Sequence, residues 1–220
     1  MSSIRSVSVA LGLFAGLASP AFAEVELSFY GGYQTAPHSD VTGNDPENGG
    51  AQDFTAGWEG KSFSPPPYYG IRATWWRTPT FGYGVEFTHA KVYADSDTLA
   101  ANSYERFEMT DGLNLITVNA TRRWPEQWGD FTPYVSGGLG LAIPHVDIRA
   151  TGGSHTFGYQ ATGPALRLTA GVSYQINDRW SAFGEYQGSY SMHTIDLDNG
   201  GELKTDIVTN SLNIGVSYGF

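Results

Sequence analysis

Val208-Thr209-Asn210-Ser211-Leu212-Asn213-Ile214-Gly215-Val216-Ser217-Tyr218-Gly219-Phe220 closes the chain. Its even positions, Val208, Asn210, Leu212, Ile214, Val216, Tyr218 and Phe220, are mostly apolar. Its odd positions, Thr209, Ser211, Asn213, Gly215, Ser217 and Gly219, are small or polar. A period of two sends successive side chains to opposite faces of an extended strand, so the segment reads as a β-strand with one apolar and one polar face. A half-buried strand of a soluble protein alternates in the same way. The pattern therefore settles the strand and leaves its solvent open.

The other end of the chain supplies the solvent. Met1 to Ser8 is polar with one positive charge, Arg5; Val9 to Ala18 is apolar; Ala21-Phe22-Ala23 is an A-x-A cleavage site. The apolar run, about ten residues, is too short to cross a bilayer as a helix, and no later segment approaches ~20 apolar residues. Residues 1–23 are thus expected to be a cleaved export signal and residues 24–220 a single domain. The absence of cysteine excludes a disulfide scaffold, a thiolate metal site and a lipoprotein anchor. A final strand ending on phenylalanine behind an export signal resembles the last strand of bacterial outer-membrane β-barrels, where a terminal aromatic serves assembly. That resemblance implies lipid outside the sheet and water or a polar plug inside.

Composition agrees. Charged residues are 15% and mean hydropathy is −0.26 despite 31 aromatic residues (Tyr 13, Phe 12, Trp 6), which is what alternating membrane strands produce. A formal charge of −10 argues against nucleic acid as a partner. Seven further strands are predicted: Val25–Gln34, Tyr68–Arg77, Gly82–Tyr93, roughly Leu115–Trp124, Thr132–His145, Leu166–Ile176 and Ser181–Met192. Each reaches the ~9–11 residues a tilted membrane strand needs. The connections alternate in length. Those at 78–81, 125–130 and 177–180 are short; those at 35–67, 94–112, 146–165 and 194–206 are long, glycine-rich and acidic. Short turns on one side and long loops on the other predict an all-β, antiparallel, eight-stranded up-and-down transmembrane barrel with its long loops outside the cell. Eight strands leave a lumen just wide enough for side chains. Glu26, Glu86 and Glu185 are predicted to face Arg72, Arg123 and Arg167 there, and buried charges of this kind pair into a plug.

Several motif fragments fail on inspection. Gly57-Trp58-Glu59-Gly60-Lys61-Ser62 ends like a phosphate-binding loop, but Thr55 stands where the first glycine belongs. Asp196 to Gly201 begins like a calcium loop, yet its twelfth position is Ile207, and Asn199-Gly200 reads better as a tight turn. The histidines are harder to set aside. His38, His145 and His193 are predicted where outgoing strands meet their external loops, His89 near the top of the third strand, and His155 at a loop tip. Asp40, Asp147 and Asp196 accompany the first three. Imidazole with carboxylate suits a divalent transition metal; strands that merely end in polar interface residues would look the same.

Two blocks carry a family resemblance. Glu24-Val25-Glu26-Leu27-Ser28-Phe29-Tyr30-Gly31-Gly32-Tyr33-Gln34-Thr35-Ala36-Pro37-His38-Ser39 is similar to the amino-terminal segment of the outer-membrane lipid A oxidases of alphaproteobacteria. Trp58-Glu59-Gly60-Lys61-Ser62-Phe63, followed by Pro66-Pro67-Tyr68-Tyr69-Gly70-Ile71-Arg72, resembles that family's second block. Length, signal, strand count and terminal phenylalanine extend the likeness over the whole mature chain. It implies oxidation of the proximal glucosamine of lipid A to 2-aminogluconate with O2 as acceptor, by a monomer working on the outer-leaflet lipopolysaccharide around it. Hydride removal from a sugar needs an electron carrier. No flavin or nicotinamide fingerprint is present, so a metal held by His38, His145 and His193 is the expected carrier. Asp40, and His38 itself, are the expected catalytic groups, Asp40 as general base; Lys61 is the expected phosphate or sugar contact. Two alternatives stay open: a different lipid A enzyme such as a deacylase, and a non-catalytic surface barrel that binds ions or host molecules. An enzyme of the expected kind brings His38, His145 and His193 together at one rim; a structural barrel scatters them.

Overall fold

The computed structural model describes residues 24–125 and 127–220, so the expected export signal lies outside the described residues. Eight long strands form the ring: β1 (Glu24–Thr35), β5 (Tyr69–Thr78), β6 (Phe81–Ala94), β7 (Tyr104–Arg123), β8 (Phe131–Ala142), β11 (Gly163–Gln175), β12 (Trp180–Asp196) and β13 (Glu202–Gly219). Each pairs antiparallel with its neighbour in that order, and β13 returns to β1 with Tyr33 opposite Leu212 and Leu27 opposite Tyr218. Closure of this kind leaves the membrane-level ring without a free edge.

The lumen is a charged plug, as the inward Glu and Arg positions predict. Arg72 Nε donates to Glu86 at 2.8 Å and its Nη2 to Glu185 at 3.0 Å, while Arg167 Nη1 lies 3.0 Å from Glu86. Tyr30 Oη and Gln187 Nε2 also donate to Glu86, at 2.6 and 2.9 Å, and Tyr134 Oη donates to Glu185 at 2.6 Å. Arg123 sits apart, at the end of the short turns, against Glu24 and Glu26 and over the Trp76 ring. Charges buried so deeply persist because each has opposite charge and hydrogen-bond partners.

The long connections differ from the sequence reading. They are folded into β2 (Ser39–Asp45), β3 (Gly50–Ala56), β4 (Trp58–Glu59), β9 (His145–Ala150), β10 (His155–Tyr159) and the short helix α1 (Ser96–Ala101). Strand β7 begins at Tyr104, eleven residues before the expected Leu115. The physical reason is an inversion of polarity along each strand. The inward face of β13 is Leu203 and Ile207 at its upper end, then Thr209, Ser211, Asn213 and Ser217 lower down. The outward face runs the other way, from Glu202, Lys204 and Asp206 to Val208, Leu212, Ile214 and Val216. Below Val208 the outer solvent is lipid and the interior is polar; above it the outer solvent is water, and the interior becomes an apolar core. That upper core includes Val41, Trp58, Val92, Phe107, Met109, Val146, Ile148, Ile195 and Leu203. Acidic, glycine-rich stretches read as loops because their apolar residues face inward at half density. The Asn199-Gly200 turn is as expected: Leu197 N–H donates to Gly201 O at 2.8 Å, and Gly200 has φ +83°.

Candidate functional site

The two resembling blocks form opposite walls of one groove. On one side is the upper end of β1, Tyr33 to Ala36; on the other a strap beginning at β4, Trp58 to Ser64, encloses about 580 Å3 with it. Tyr33 pairs with Leu212, so the groove opens at the upper end of the lipid-facing band, where outer-leaflet headgroups lie.

The strap is held by local chemistry. Trp58 and Glu59 pair with Ala94 and Tyr93 at the top of β6. Gly60 is required because a Cβ there would strike the carbonyl of Gln34. Ser62 Oγ then donates to that carbonyl at 3.0 Å and accepts from Gln34 N–H at 2.8 Å, buttoning the strap onto β1. Tyr68 N–H closes the segment onto Ser62 O at 2.8 Å. Beneath it Lys91, fully buried on β6, donates to the carbonyls of Ser64 and Pro65 at 3.0 and 3.2 Å. Among the described residues no carboxylate lies within ion-pair distance of Lys91.

Lys61 adopts φ +39°, a left-handed conformation uncommon outside glycine. Its ammonium lies 4.3 Å from the centroid of the Tyr93 ring and 3.4 Å from Glu59. The rings of Tyr33 and Phe63, centroids 6.2 Å apart, stand exposed at the mouth. The groove thus offers a cation, a carboxylate and two exposed aromatics, a set that suits a glycolipid headgroup.

The structure does not bring His38, His145 and His193 to one point. His193 is buried on the inward face of β12, its Nδ1 2.7 Å from Thr162 Oγ1 and its Nε2 2.8 Å from Ser191 Oγ. His145 lies on the outward face of β9, between the rings of Phe157 and Tyr159. His38 is exposed in the segment between β1 and β2. His145 and His193 are also apart from their expected carboxylates. Asp147 bonds His155 at 2.7 Å instead of His145, whose nearest acid is Asp111 at 3.9 Å. Asp196 is three residues from His193, an odd number, and so faces outward. Asp40 is exposed on β2 and accepts from Thr55 Oγ1 at 2.8 Å, outside the groove. Among the described residues no group of three or more His, Asp or Glu side chains is arranged to hold a metal ion. Of the expected site residues Lys61 alone lines the groove. Glu59, Tyr33, Phe63 and Lys91 went unpredicted as site residues; the left-handed Lys61 and the buried Lys91 leave no trace in residue order.

Ser39 does not pair with His38. Its hydroxyl lies 2.9 Å from Thr205 Oγ1 and accepts from Trp58 Nε1 at 2.8 Å. The Ser191–His193 contact has Thr162 in place of an acid and is buried on the inward face, away from lipid.

The chain belongs to the outer membrane protein beta-barrel domain family, whose model matches residues 9–220. It is similar in structure to outer membrane protein AlkL in lipid bilayers, at 14% identity over 96% of this chain and 97% of that one, with a TM-score of 0.52. Neisserial surface protein A (NspA) matches at 20% identity over 90% of this chain and 96% of its own, with a TM-score of 0.48. The N-terminal barrel of Pseudomonas aeruginosa OprF matches at 16% identity over 91% and 99%, with a TM-score of 0.45. No curated protein matches the chain. The protein is an integral outer-membrane β-barrel.

Proposed function

We propose that this barrel oxidises the proximal glucosamine of lipid A at its anomeric carbon, giving 2-aminogluconate, and that it does so at the groove between β1 and the strap. The observation that carries the reading is the meeting there of the two blocks similar to lipid A oxidases, which are separated in sequence. In this reading Lys61 holds an anionic or hydroxyl group of the sugar, and Tyr33 and Phe63 pack on the lipid at the mouth. Glu59, in place of the expected Asp40, takes the proton of the anomeric hydroxyl. Carbon 1 gives up its hydrogen with an electron pair, forming a lactone. O2 takes the electron pair and two protons to become peroxide, and water opens the lactone to the carboxylate. The electron pair needs a carrier. His38, His145 and His193 do not fit one together, so no step is routed through a metal at those residues.

The second reading is a non-catalytic surface barrel, favoured by the scatter of the three histidines and by the plugged lumen. One experiment separates the two: expression in a host whose lipid A lacks the anomeric phosphate, since that phosphate blocks the carbon to be oxidised. Oxidation adds one oxygen, about 16 mass units, to lipid A in aerated cells and none in cells held without O2. Glu59→Gln is expected to abolish the gain while the barrel still folds. Unchanged lipid A in aerated membranes containing folded protein overturns the proposal and leaves the surface barrel.

A further inference from the structure

We infer that the outer face of the β9–β10 hairpin is a docking platform for the saccharide portion of a neighbouring outer-leaflet glycolipid. This is separate from the oxidation groove and stands whether or not oxidation occurs. Strand alternation puts His145, Asp147 and Arg149 of β9, and His155, Phe157 and Tyr159 of β10, on that face beside Arg106 and Glu108 of β7. Register aligns them in rows: Arg106, Arg149 and His155; then Glu108, Asp147 and Phe157; then His145 with Tyr159.

Height decides what this face meets. Strand β9 continues upward from β8, whose last exposed apolar residue in the lipid band is Leu141. His145 and Phe157 stand four to six residues above it, on the order of 10–15 Å beyond the hydrocarbon for a tilted strand. Phe157 and Tyr159 are nevertheless 56% and 63% exposed. Exposed rings at that level are beyond the reach of acyl chains and lie in the sugar layer of the outer leaflet, where the C–H faces of pyranose rings match aromatic surfaces.

The polar groups suit the same ligand. Asp147, 1% exposed, accepts from Arg106 Nη1 at 3.0 Å and lies 2.7 Å from His155 Nε2. Glu108 also binds Arg106 through Nη1, at 3.2 Å. Among the described residues this leaves Arg106 Nε and Nη2, and His155 Nδ1, for sugar hydroxyl or acidic groups. His145 is 6% exposed between the two rings, and its Nδ1 has no hydrogen-bond partner. Two exposed aromatic rings braced by a buried imidazole, beside a guanidinium held by a buried carboxylate, form a carbohydrate-binding surface.

The test uses the full barrel refolded in lipopolysaccharide-free detergent micelles and the acyl-free core oligosaccharide released from lipopolysaccharide, so the lipid belt cannot contribute. Titration followed by saturation-transfer NMR is expected to show saturable binding, with transfer to pyranose C–H protons. Phe157→Leu with Tyr159→Leu, which keeps apolar packing and removes the rings, is expected to weaken binding at least tenfold. Val135→Ala, in the lipid band, is expected to leave binding unchanged. Absence of saturable binding to the folded parent overturns the proposal, as does a ring-deleted variant that binds like the parent. If the parent binds no saccharide but forms a dimer that the same substitutions abolish, the face belongs to a second copy of this chain and the proposal is likewise overturned.

Discussion

Arg72→Met removes the cation that joins the two most deeply buried carboxylates of the lumen. Glu86 keeps Arg167 at 3.0 Å and the donors Tyr30, Asn119 and Gln187. Glu185 keeps the hydroxyl of Tyr134 at 2.6 Å and the amide of Asn213 at 3.1 Å, but no cation. The loss therefore falls mainly on one uncompensated charge, and breaking such a buried pair costs about 3–5 kcal/mol. With a urea slope of about 1–3 kcal/mol per molar, the unfolding midpoint is expected to fall by roughly 2 M. Protein refolded in detergent micelles, followed by tryptophan fluorescence and by the gel shift between folded and boiled barrel, gives the midpoint. Adding Glu185→Gln removes the stranded charge and is expected to restore more than half of the loss, because the penalty lies in the unpaired ion. A single variant within about 1 kcal/mol of the parent, the value of an ordinary surface pair, refutes the plug as a low-dielectric network. So does a double variant no more stable than the single.

Other consequences follow from the upper half of the barrel. Phe107 packs against Trp58, Tyr104 and Phe54 in the water-level core. Phe107→Ala is expected to cost about 3–5 kcal/mol there. If the extracellular cap opens on its own, proteinase K added to intact cells should cut the 46–49 turn at least about a hundredfold faster; an unchanged rate contradicts a separately opening cap. The carboxyl of Glu47 is held below its ordinary 4.5 by the backbone and side chain of Ser154, and that of Asp95 below its ordinary 3.8 by Thr98 at the start of α1. Folded values below the unfolded ones mean that both tethers act fully above those pH values and are lost as pH falls beneath them. Amide protection factors at Ser154 and Thr98 are expected to be constant from neutrality to about pH 5 and to drop toward pH 3; flat protection through that range counts against both tethers.

The barrel itself was legible because lipid outside and a narrow polar lumen inside impose a strict period of two, visible in every membrane-level strand. The strands' continuation was hidden. Above Val208 the same alternation persists with its polarity reversed, so Leu203 and Ile207 look like stray apolar residues in an acidic loop. The plug was legible too, since Arg72, Glu86 and Glu185 fall on polar faces of long, unambiguous strands. The histidine site was not. His145 opens β9 and His193 lies near the top of β12, but one faces the outside and the other the lumen, and residue order gives no sign of which. Asp147 serves His155, ten positions beyond His145, because a hairpin folds β10 back on β9. Lys91 reads as an ordinary rim cation; its burial comes from a strap that starts some thirty residues earlier.

The central claim, oxidation of a sugar at the outer leaflet, is tested most directly in vesicles that contain the refolded barrel and lipid A without its anomeric phosphate, prepared in heavy-isotope water under air. Tandem mass spectrometry locates the gained oxygen. The expected result is one labelled oxygen in the carboxylate of the proximal residue, with one peroxide released per sugar, because water opens the lactone and O2 accepts the electrons. Label absent from a carboxylate that has formed would show that its oxygen came from O2, and lipid A of unchanged mass would show no oxidation at all; either contradicts the account.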